Sequence, residues 1–318
     1  MSTPVPARPD ALTGSPDASR PGLFPRLAAE GFGSLILAVT GLGVPLFSIP
    51  QSSPMPAALA AGLAVTAAML AFGHVSGGHF NPAITLGHFL AGRIRAGAAA
   101  AYVAAQLAGA SLGALALYAV LRTLPGIADS RTAFDTVTAG FGEHSIVQAP
   151  LAAVLLLEVI GAAIIVSVFL GAAARGRANS AAAPVAVGLT FAALLQLGQA
   201  VGNLPFNPAR AAASAFFSSG WALEQLWVFL AAPLAGAAVA GLVFRTFRAD
   251  EQAGEHAVPA SGPGAESGGS TGSDVSDVSD DEGDAAPVAA PTGGVAVSRK
   301  DSDGGASEAQ EFFEGKRG

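Results

Sequence analysis

Long, nearly uncharged stretches alternate with short polar connectors between residues 24 and 247. Apolar side chains occupy every face of these stretches, whereas a helix on the surface of a soluble domain keeps them on one side. Each stretch approaches the roughly 20 residues that a helix needs to cross the core of a bilayer. The pattern predicts six membrane-spanning helices, over residues 24–47, 56–76, 97–121, 148–174, 179–200 and 223–247.

Charged residues are few and segregated along the chain. They make up 12% of the 318 residues, about half of the roughly 25% that is usual in soluble domains. Residues 249–318 hold 15 acidic and 4 basic residues, a balance of −11, and residues 1–248 hold 8 acidic and 12 basic, a balance of +4. The polar ends, 1–22 and 249–318, cannot bury enough apolar surface to offset their ordering entropy. We therefore expect two disordered tails around a membrane domain, residues 23–248.

Basic residues mark one side of the predicted membrane domain. They are Arg8, Arg20, Arg26, Arg93, Arg95, Arg175, Arg177, Arg245 and Arg248. The positive-inside rule assigns the segments that carry them to the cytoplasm. Both termini are then expected in the cytoplasm, and the connector 122–147 lies outside. Residues 1–22 contain no apolar run of roughly 7–15 residues, so we expect no cleaved signal peptide. The net charge of −7 argues against nucleic-acid binding.

The membrane domain contains an internal repeat. Gly62 to Ala83 reads GLAVTAAMLAFGHVSGGHFNPA, and Gly188 to Ala209 reads GLTFAALLQLGQAVGNLPFNPA, 126 residues later. The halves, about 23–122 and 148–248, hold three predicted spans each. Because three is odd, the second half enters the bilayer from the opposite side, and inverted repeats of this kind place shared sites near the midplane.

Both repeats end in Phe-Asn-Pro-Ala, which predicts a helix start. Asparagine is a strong N-cap, and proline is favoured at the first helical position. The apolar stretches that follow, Ala83–Gly92 and Ala209–Phe217, are half as long as a span, so we interpret them as re-entrant half-helices. Their N-termini, each equivalent to about +0.5 charge, then face one spot at which cations are repelled and a neutral molecule can be held. The motif residues are Asn81, Pro82, Ala83, Asn207, Pro208 and Ala209.

Three segments carry a resemblance to a known family. SGGHFNPA (Ser76–Ala83), FNPAR (Phe206–Arg210) and GWALEQLW (Gly220–Trp227) resemble the aquaporin, or major intrinsic protein, family, and most closely its bacterial members. The resemblance covers residues 25–248. It implies an all-α membrane fold of six tilted helices and two half-helices, a homotetramer with one pore in each subunit, and a place in the inner cell membrane. It also implies a passive channel rather than an enzyme, with no cofactor or metal.

The resemblance also implies a selectivity filter, and here the chain departs from the family pattern. In water-selective members an aromatic residue, a histidine, a small polar residue and an arginine form the narrowest ring. Counting back from each Asn-Pro-Ala, the corresponding residues are Ala61, Leu195, Leu204 and Arg210. Only Arg210 matches, and Ala211 stands where glycerol channels usually have aspartate. We expect a wide, apolar constriction that passes water and small neutral solutes such as glycerol, urea or hydrogen peroxide.

Three further polar residues fall within the apolar body. Glu30 and Glu158 occupy equivalent places in the two halves, and we favour a structural role for them, accepting N–H groups from the irregular loops, over a proton relay. His79 precedes Asn81 by two residues and is a candidate for lining the pore vestibule or sensing pH, with a purely structural role equally open.

Other functions remain as alternatives. Within the channel class, the chain could be strictly water-selective or resemble a glycerol facilitator. An ion-coupled transporter would need carboxylates near the midplane, yet Glu30 and Glu158 lie towards the ends of their spans. A membrane enzyme lacks support, because five scattered histidines and no cysteine supply no catalytic cluster. Ser273, Ser276 and Ser279 precede aspartates as in sites of acidophilic kinases, but an unregulated solubilising tail, or a scaffolding one, is also open.

Overall fold

The computed structural model describes residues 21–48, 55–174 and 181–256. The two ends, 1–20 and 257–318, lie outside these ranges, and with them Arg8, Arg20, Ser273, Ser276 and Ser279. Arg175, Arg177 and the side chain of Arg248 also lie outside the description. Within the described ranges the regular structure is entirely helical.

Among the described residues, six helices are long and apolar enough to span a membrane. They are α1 (Leu23–Phe47), α2 (Ala57–Ser76), α4 (Ala96–Leu121), α6 (Leu151–Ala174), α7 (Ala182–Gly202) and α9 (Gly220–His256). The predicted spans are confirmed, with boundaries within three residues except at the end of α9. Between them lie α3 (Pro82–Leu90), the short α5 (Ser130–Asp135), a 3-10 turn at Gly142–His144 and α8 (Pro208–Phe217). The all-α membrane fold expected from the sequence is therefore correct.

The end of α9 differs from the prediction. The disordered tail was expected from residue 249, but α9 continues to His256. The residues from Ala249 to His256 contain alanine, glutamate and glutamine and no proline, so they are compatible with a helix that is already formed.

Helices pack in two related groups of three. In the first half α1 packs against α2 and α4, in the second α6 packs against α7 and α9, and α2 joins the groups by packing against α7. Glycines permit the closest approaches. A Cβ on Gly109 would lie 2.0 Å from the carbonyl oxygen of Gly31, and one on Gly236 would lie 2.1 Å from that of Val159. These contacts explain small residues at helical spacing, because they let helix backbones touch.

The two half-helices interlock the halves. Helix α3 of the first half packs against α9 of the second, and α8 of the second packs against α4 of the first. Each begins at the proline of Phe-Asn-Pro-Ala, and the preceding asparagine caps it. Below, the end of the bundle at which α1 finishes is called the upper end, and the opposite end is the lower end.

Candidate functional site

The two Phe-Asn-Pro turns bind each other where the half-helices begin. The Nδ2 of Asn81 donates to the carbonyl of Phe206 at 2.9 Å, and the Nδ2 of Asn207 donates to the carbonyl of Phe80 at 3.1 Å. The Oδ1 atoms accept from backbone N–H groups of the helices that they cap, at 2.8 Å from Ala83 and 2.9 Å from Ala209. Each side-chain amide thus uses one of its two N–H groups in the bond between the halves.

The phenylalanine before each asparagine has a left-handed backbone, with φ of 49° at both Phe80 and Phe206. A bulky residue rarely adopts this conformation, so packing must maintain it. Both rings are buried. A Cβ on Gly33 would lie 2.2 Å from the Phe80 ring, and one on Gly161 would lie 2.3 Å from the Phe206 ring. Each ring therefore anchors its turn in a glycine recess on α1 or α6.

Glu30 and Glu158 bind the backbone of these turns. Glu30 accepts hydrogen bonds from four groups, namely the Oγ of Ser76 (2.6 Å), the N–H of His79 (3.0 Å), the N–H of Phe80 (2.7 Å) and the Nε2 of Gln106 (2.7 Å). Both carboxylates are fully buried. Their positions in the spans suggested a place towards the ends of the helices, but the structure brings them beside the Asn-Pro-Ala turns.

The second carboxylate has fewer partners than the first. The Oε1 of Glu158 accepts from the N–H of Phe206 at 3.1 Å. Its Oε2 is buried without a hydrogen-bond partner among the described residues. Part of the reason is in the repeat itself, since Gly202 stands 126 residues after Ser76 and has no hydroxyl to donate.

Three of the four predicted filter residues border the same narrow passage. A cavity of about 70 Å³ opens towards the upper end, and a smaller one of about 20 Å³ lies below it, next to Asn207. Gly41, Ala61, Leu195 and Arg210 line both of these cavities. They therefore surround the point at which the upper cavity meets the smaller one, which is called the middle cavity. Gly41 was not among the residues that the sequence analysis selected.

Leu204, the fourth predicted filter residue, lies in the wall. It borders the upper cavity alone and is fully buried. Its side chain packs against Gly198 and Gly202 of α7, where added Cβ atoms would lie 2.6 Å and 3.4 Å from it. Its side chain therefore does little to narrow the passage.

The upper cavity also has polar residues that sequence reasoning missed. Gln199 lies one helical turn beyond Leu195, so its spacing on α7 was the available signal. Thr136 and Val137 come from the connector after α5, and Asn203 joins this connector by donating from Nδ2 to the carbonyls of Thr136 (3.1 Å) and Thr138 (3.3 Å). The connector thus forms part of the upper mouth, a question that the sequence left open.

Asp135 fastens the same connector to the junction of α8 and α9. It accepts from the N–H and Oγ of Ser219, at 2.9 and 2.7 Å, and from the Oγ of Ser218. Arg131 donates to the carbonyl of Ser218 at 2.7 Å. Partial burial, the largest single influence, raises the pKa of Asp135, but hydrogen bonds from Ser218 and Ser219 together outweigh it and leave the pKa below its ordinary value.

His79 does not line the lower cavity, contrary to the vestibule role considered from the sequence. That cavity, about 350 Å³, is lined by residues that include His74, Gly77 and Phe169. His79 is only 6% exposed, its Nδ1 lies 3.1 Å from the Oγ1 of Thr85, and its ring packs at a tilt against that of His88, with centroids 4.1 Å apart. A Cβ on Gly77 would lie 3.5 Å from its Nε2, so His79 stands behind the cavity wall.

The described part of the chain contains no cluster of three or more histidine, cysteine, aspartate or glutamate side chains that could hold a metal ion. The residues around the passage are apolar, apart from Asn207, Arg210 and the polar groups of the mouth. This arrangement can admit a small molecule and offer it hydrogen bonds, whereas no nucleophile and base stand together there.

Comparison with known proteins gives consistent results. The family described as Major intrinsic protein matches residues 18–244. The chain is 37% identical to "Aquaporin Z" of Photorhabdus laumondii over 236 residues, which are 71% of this chain and 99% of that protein. It is also 37% identical to "Aquaporin Z" of Bradyrhizobium diazoefficiens over 224 residues, 69% of this chain and 92% of that protein.

A solved structure has a similar fold. The aquaglyceroporin from Plasmodium falciparum superimposes with a TM-score of 0.57 and 20% identity, covering 71% of this chain and 95% of the other. At this identity the likeness concerns the fold alone.

Proposed function

Because the chain belongs to the major intrinsic protein family, and is therefore a multi-pass membrane channel rather than an enzyme, we propose that it conducts water together with small uncharged solutes. The candidates are glycerol, urea and hydrogen peroxide. The observation that carries this proposal is the passage at Gly41, Ala61, Leu195 and Arg210, in which three of the four side chains are hydrogen or hydrocarbon.

Exclusion of ions and protons rests on the centre of the molecule. The N-termini of α3 and α8 begin at asparagines that bind each other's turn, so two positive helix ends, each about half a charge, are held close together. Arg210, which follows the second Asn-Pro-Ala, adds a full positive charge above them. A cation that entered the passage would be repelled by Arg210 and by the two helix N-termini. A neutral molecule would meet no such electrostatic repulsion.

The side chains that border the passage support permeability beyond water. Ala61 extends only a methyl group towards it, and Leu195 offers no hydrogen bond that would replace those of water. An apolar wall discriminates weakly between neutral solutes of similar size, because alanine and leucine side chains offer no polar group that one solute pairs and another leaves unpaired. The size of the solute then limits its passage. Because Ala61 has a small side chain, we propose that small polyols and amides can pass.

A transporter is less well supported. Glu30 and Glu158 lie beside the Asn-Pro-Ala turns, but both are fully buried, and neither lines any of the three cavities. We further infer an inner-membrane location with cytoplasmic termini, from the arginine distribution, and a homotetramer, from the family resemblance.

Reconstitution into proteoliposomes tests the proposal. Stopped-flow light scattering under a sucrose gradient gives water permeability, and isosmotic gradients of glycerol and urea give solute permeability, while a trapped pH dye reports proton entry. We expect fast water flux, measurable uptake of at least one solute and no proton entry. Leu195→His is the selectivity variant, and it should suppress the solutes while water still passes.

Two results would count against the proposal. Fast water flux with no entry of glycerol, urea or hydrogen peroxide would identify a strictly water-selective channel. Flux that saturates and collapses with an ion gradient would identify a coupled transporter.

A further inference from the structure

Helix α1 carries a proline in its last turn, at Pro45. Proline has no backbone N–H, so it cannot make the helical hydrogen bond to the carbonyl four residues earlier. That carbonyl belongs to Gly41, the residue on α1 that borders both the upper and the middle cavity. Pro45 therefore leaves one carbonyl acceptor of α1 without its usual helical donor, at a residue that borders the passage.

Arg210 contacts this same carbonyl. Its Nη2 donates to the oxygen of Gly41 at 3.4 Å, a long hydrogen bond that joins residues 169 apart in the sequence. Its Nε is buried and has no partner among the residues that the structure describes. The guanidinium thus binds α1 through the carbonyl of Gly41. With any residue other than proline at position 45, a backbone N–H would donate to that carbonyl within the helix.

The lack of a side chain at position 41 completes the contact. An ideal Cβ there would lie 3.5 Å from the Nε of Arg210 and 3.8 Å from the Cβ of Ala61. These are ordinary contact distances, so alanine would fit, but its methyl group would stand in the passage between the two cavities. Glycine keeps this space open and exposes the carbonyl to the guanidinium.

We propose that Gly41 and Pro45 are positioning residues for the guanidinium of Arg210, and that they hold it against α1 so that the passage beside Ala61 and Leu195 stays open to solutes. The proposal rests on the function proposed above, because it presumes that Arg210 belongs to the filter. A helical N–H at position 45 would turn the Gly41 carbonyl towards the helix axis and lengthen a bond to Arg210 that is already 3.4 Å long. The guanidinium would then take partners within the passage, where it obstructs molecules larger than water.

The variant Pro45→Ala tests this by supplying the N–H that takes the Gly41 carbonyl back into the helix. The matched control is Pro233→Ala, since Pro233 also lies inside a long helix but lines none of the three cavities. Permeabilities to water, glycerol, urea and hydrogen peroxide are measured for each protein in proteoliposomes at equal channel density. We expect Pro45→Ala to lower the ratio of solute to water permeability about fivefold, the scale of one hydrogen bond, and Pro233→Ala to leave it unchanged.

A double-variant cycle separates positioning from a general effect on the helix. In an Arg210→Val background, the change at Pro45 should have no further effect on the ratio. Gly41→Ala keeps the carbonyl but adds a methyl group to the passage. It should lower solute permeability more than it lowers water flux. If wild type passes water alone, water permeability per channel takes the place of the ratio throughout.

The outcomes distinguish this proposal from the one on which it rests. An unchanged ratio in Pro45→Ala, or an equal change in Pro233→Ala or in the Arg210→Val background, overturns the positioning role. If Arg210→Val itself alters neither solute, water nor proton permeability, the filter role of Arg210 in the proposed function fails instead.

Discussion

The aromatic ring of Phe80 fills the space that a side chain on Gly33 would occupy, because a Cβ there would lie 2.2 Å from two ring atoms. Phe206 has the same relationship to Gly161 in the second half. Both phenylalanines have a positive φ, and each immediately precedes the asparagine that caps a half-helix. The recess on the long helix therefore sets the place at which the half-helix begins.

Gly33→Ala should destabilise the protein by about 1–3 kcal/mol, because the added methyl group overlaps a buried ring that cannot move without shifting the turn. Thermal unfolding in detergent measures the change. Gly97→Ala is the control, since nothing lies within 4 Å of a Cβ there and the helix gains propensity. Equal stability of the two variants would contradict the anchoring role of Phe80.

Glu30→Gln should cost more stability than Glu158→Gln, by about 2 kcal/mol. Each oxygen of Glu30 faces two donors, so an amide NH2 would oppose donors on either side. Glu158 has one oxygen without a partner among the described residues, and an amide NH2 can take that place. The midpoint of thermal unfolding compares the two variants, and similar losses in both would argue against this difference.

The bonds of Asp135 should make stability depend on pH at the acid end. Its pKa is lower in the folded protein than the ordinary value of 3.8, so the ionised form is favoured by folding. This stabilisation is fully present above pH 3.8 and is lost as the pH falls through the folded pKa. We expect Asp135→Asn to have a lower unfolding temperature than wild type at pH 6, and the gap to narrow below pH 4. A constant gap from pH 6 to pH 3 would be inconsistent with this linkage.

Ala61→Phe should narrow the passage and exclude solutes. A ring at this position projects between the upper and middle cavities, both of which Ala61 borders. Glycerol and urea uptake should fall at least about tenfold, equivalent to roughly 1.4 kcal/mol of barrier, while water flux falls less. Leu59→Phe is the control, since Leu59 lies on the same helix with 38% of its surface exposed. Unchanged solute uptake in Ala61→Phe would show that the limiting constriction lies elsewhere.

Local chemistry explains why much of the architecture could be predicted. The spans follow from apolar runs whose length is dictated by the bilayer, and the half-helices follow from the capping preference of Asn81 and Asn207 with proline behind them. Both signals lie within a few residues of the feature that they predict.

The details of the passage depend on contacts between distant residues. Leu204 occupies a counted filter position, but Gly198 and Gly202 leave room for its side chain within the wall. His79 contacts Thr85 and His88 and so lies behind the wall of the lower cavity. Gly41 belongs to the passage through its hydrogen bond with Arg210, a residue of the other half. One signal was available and missed: a glycine follows three residues after each buried glutamate, at Gly33 and Gly161.

The exchange of half-helices between the two halves has a consequence for biosynthesis. Helix α3 finds its packing surface on α9, and the turn before it is bonded to Asn207, so neither is available while only the first half has left the ribosome. A nascent chain that ends after α4 therefore carries a half-helix that lacks its docking site. The pore can reach its final form only when the last transmembrane segment has been inserted, which makes α9 the final step of assembly.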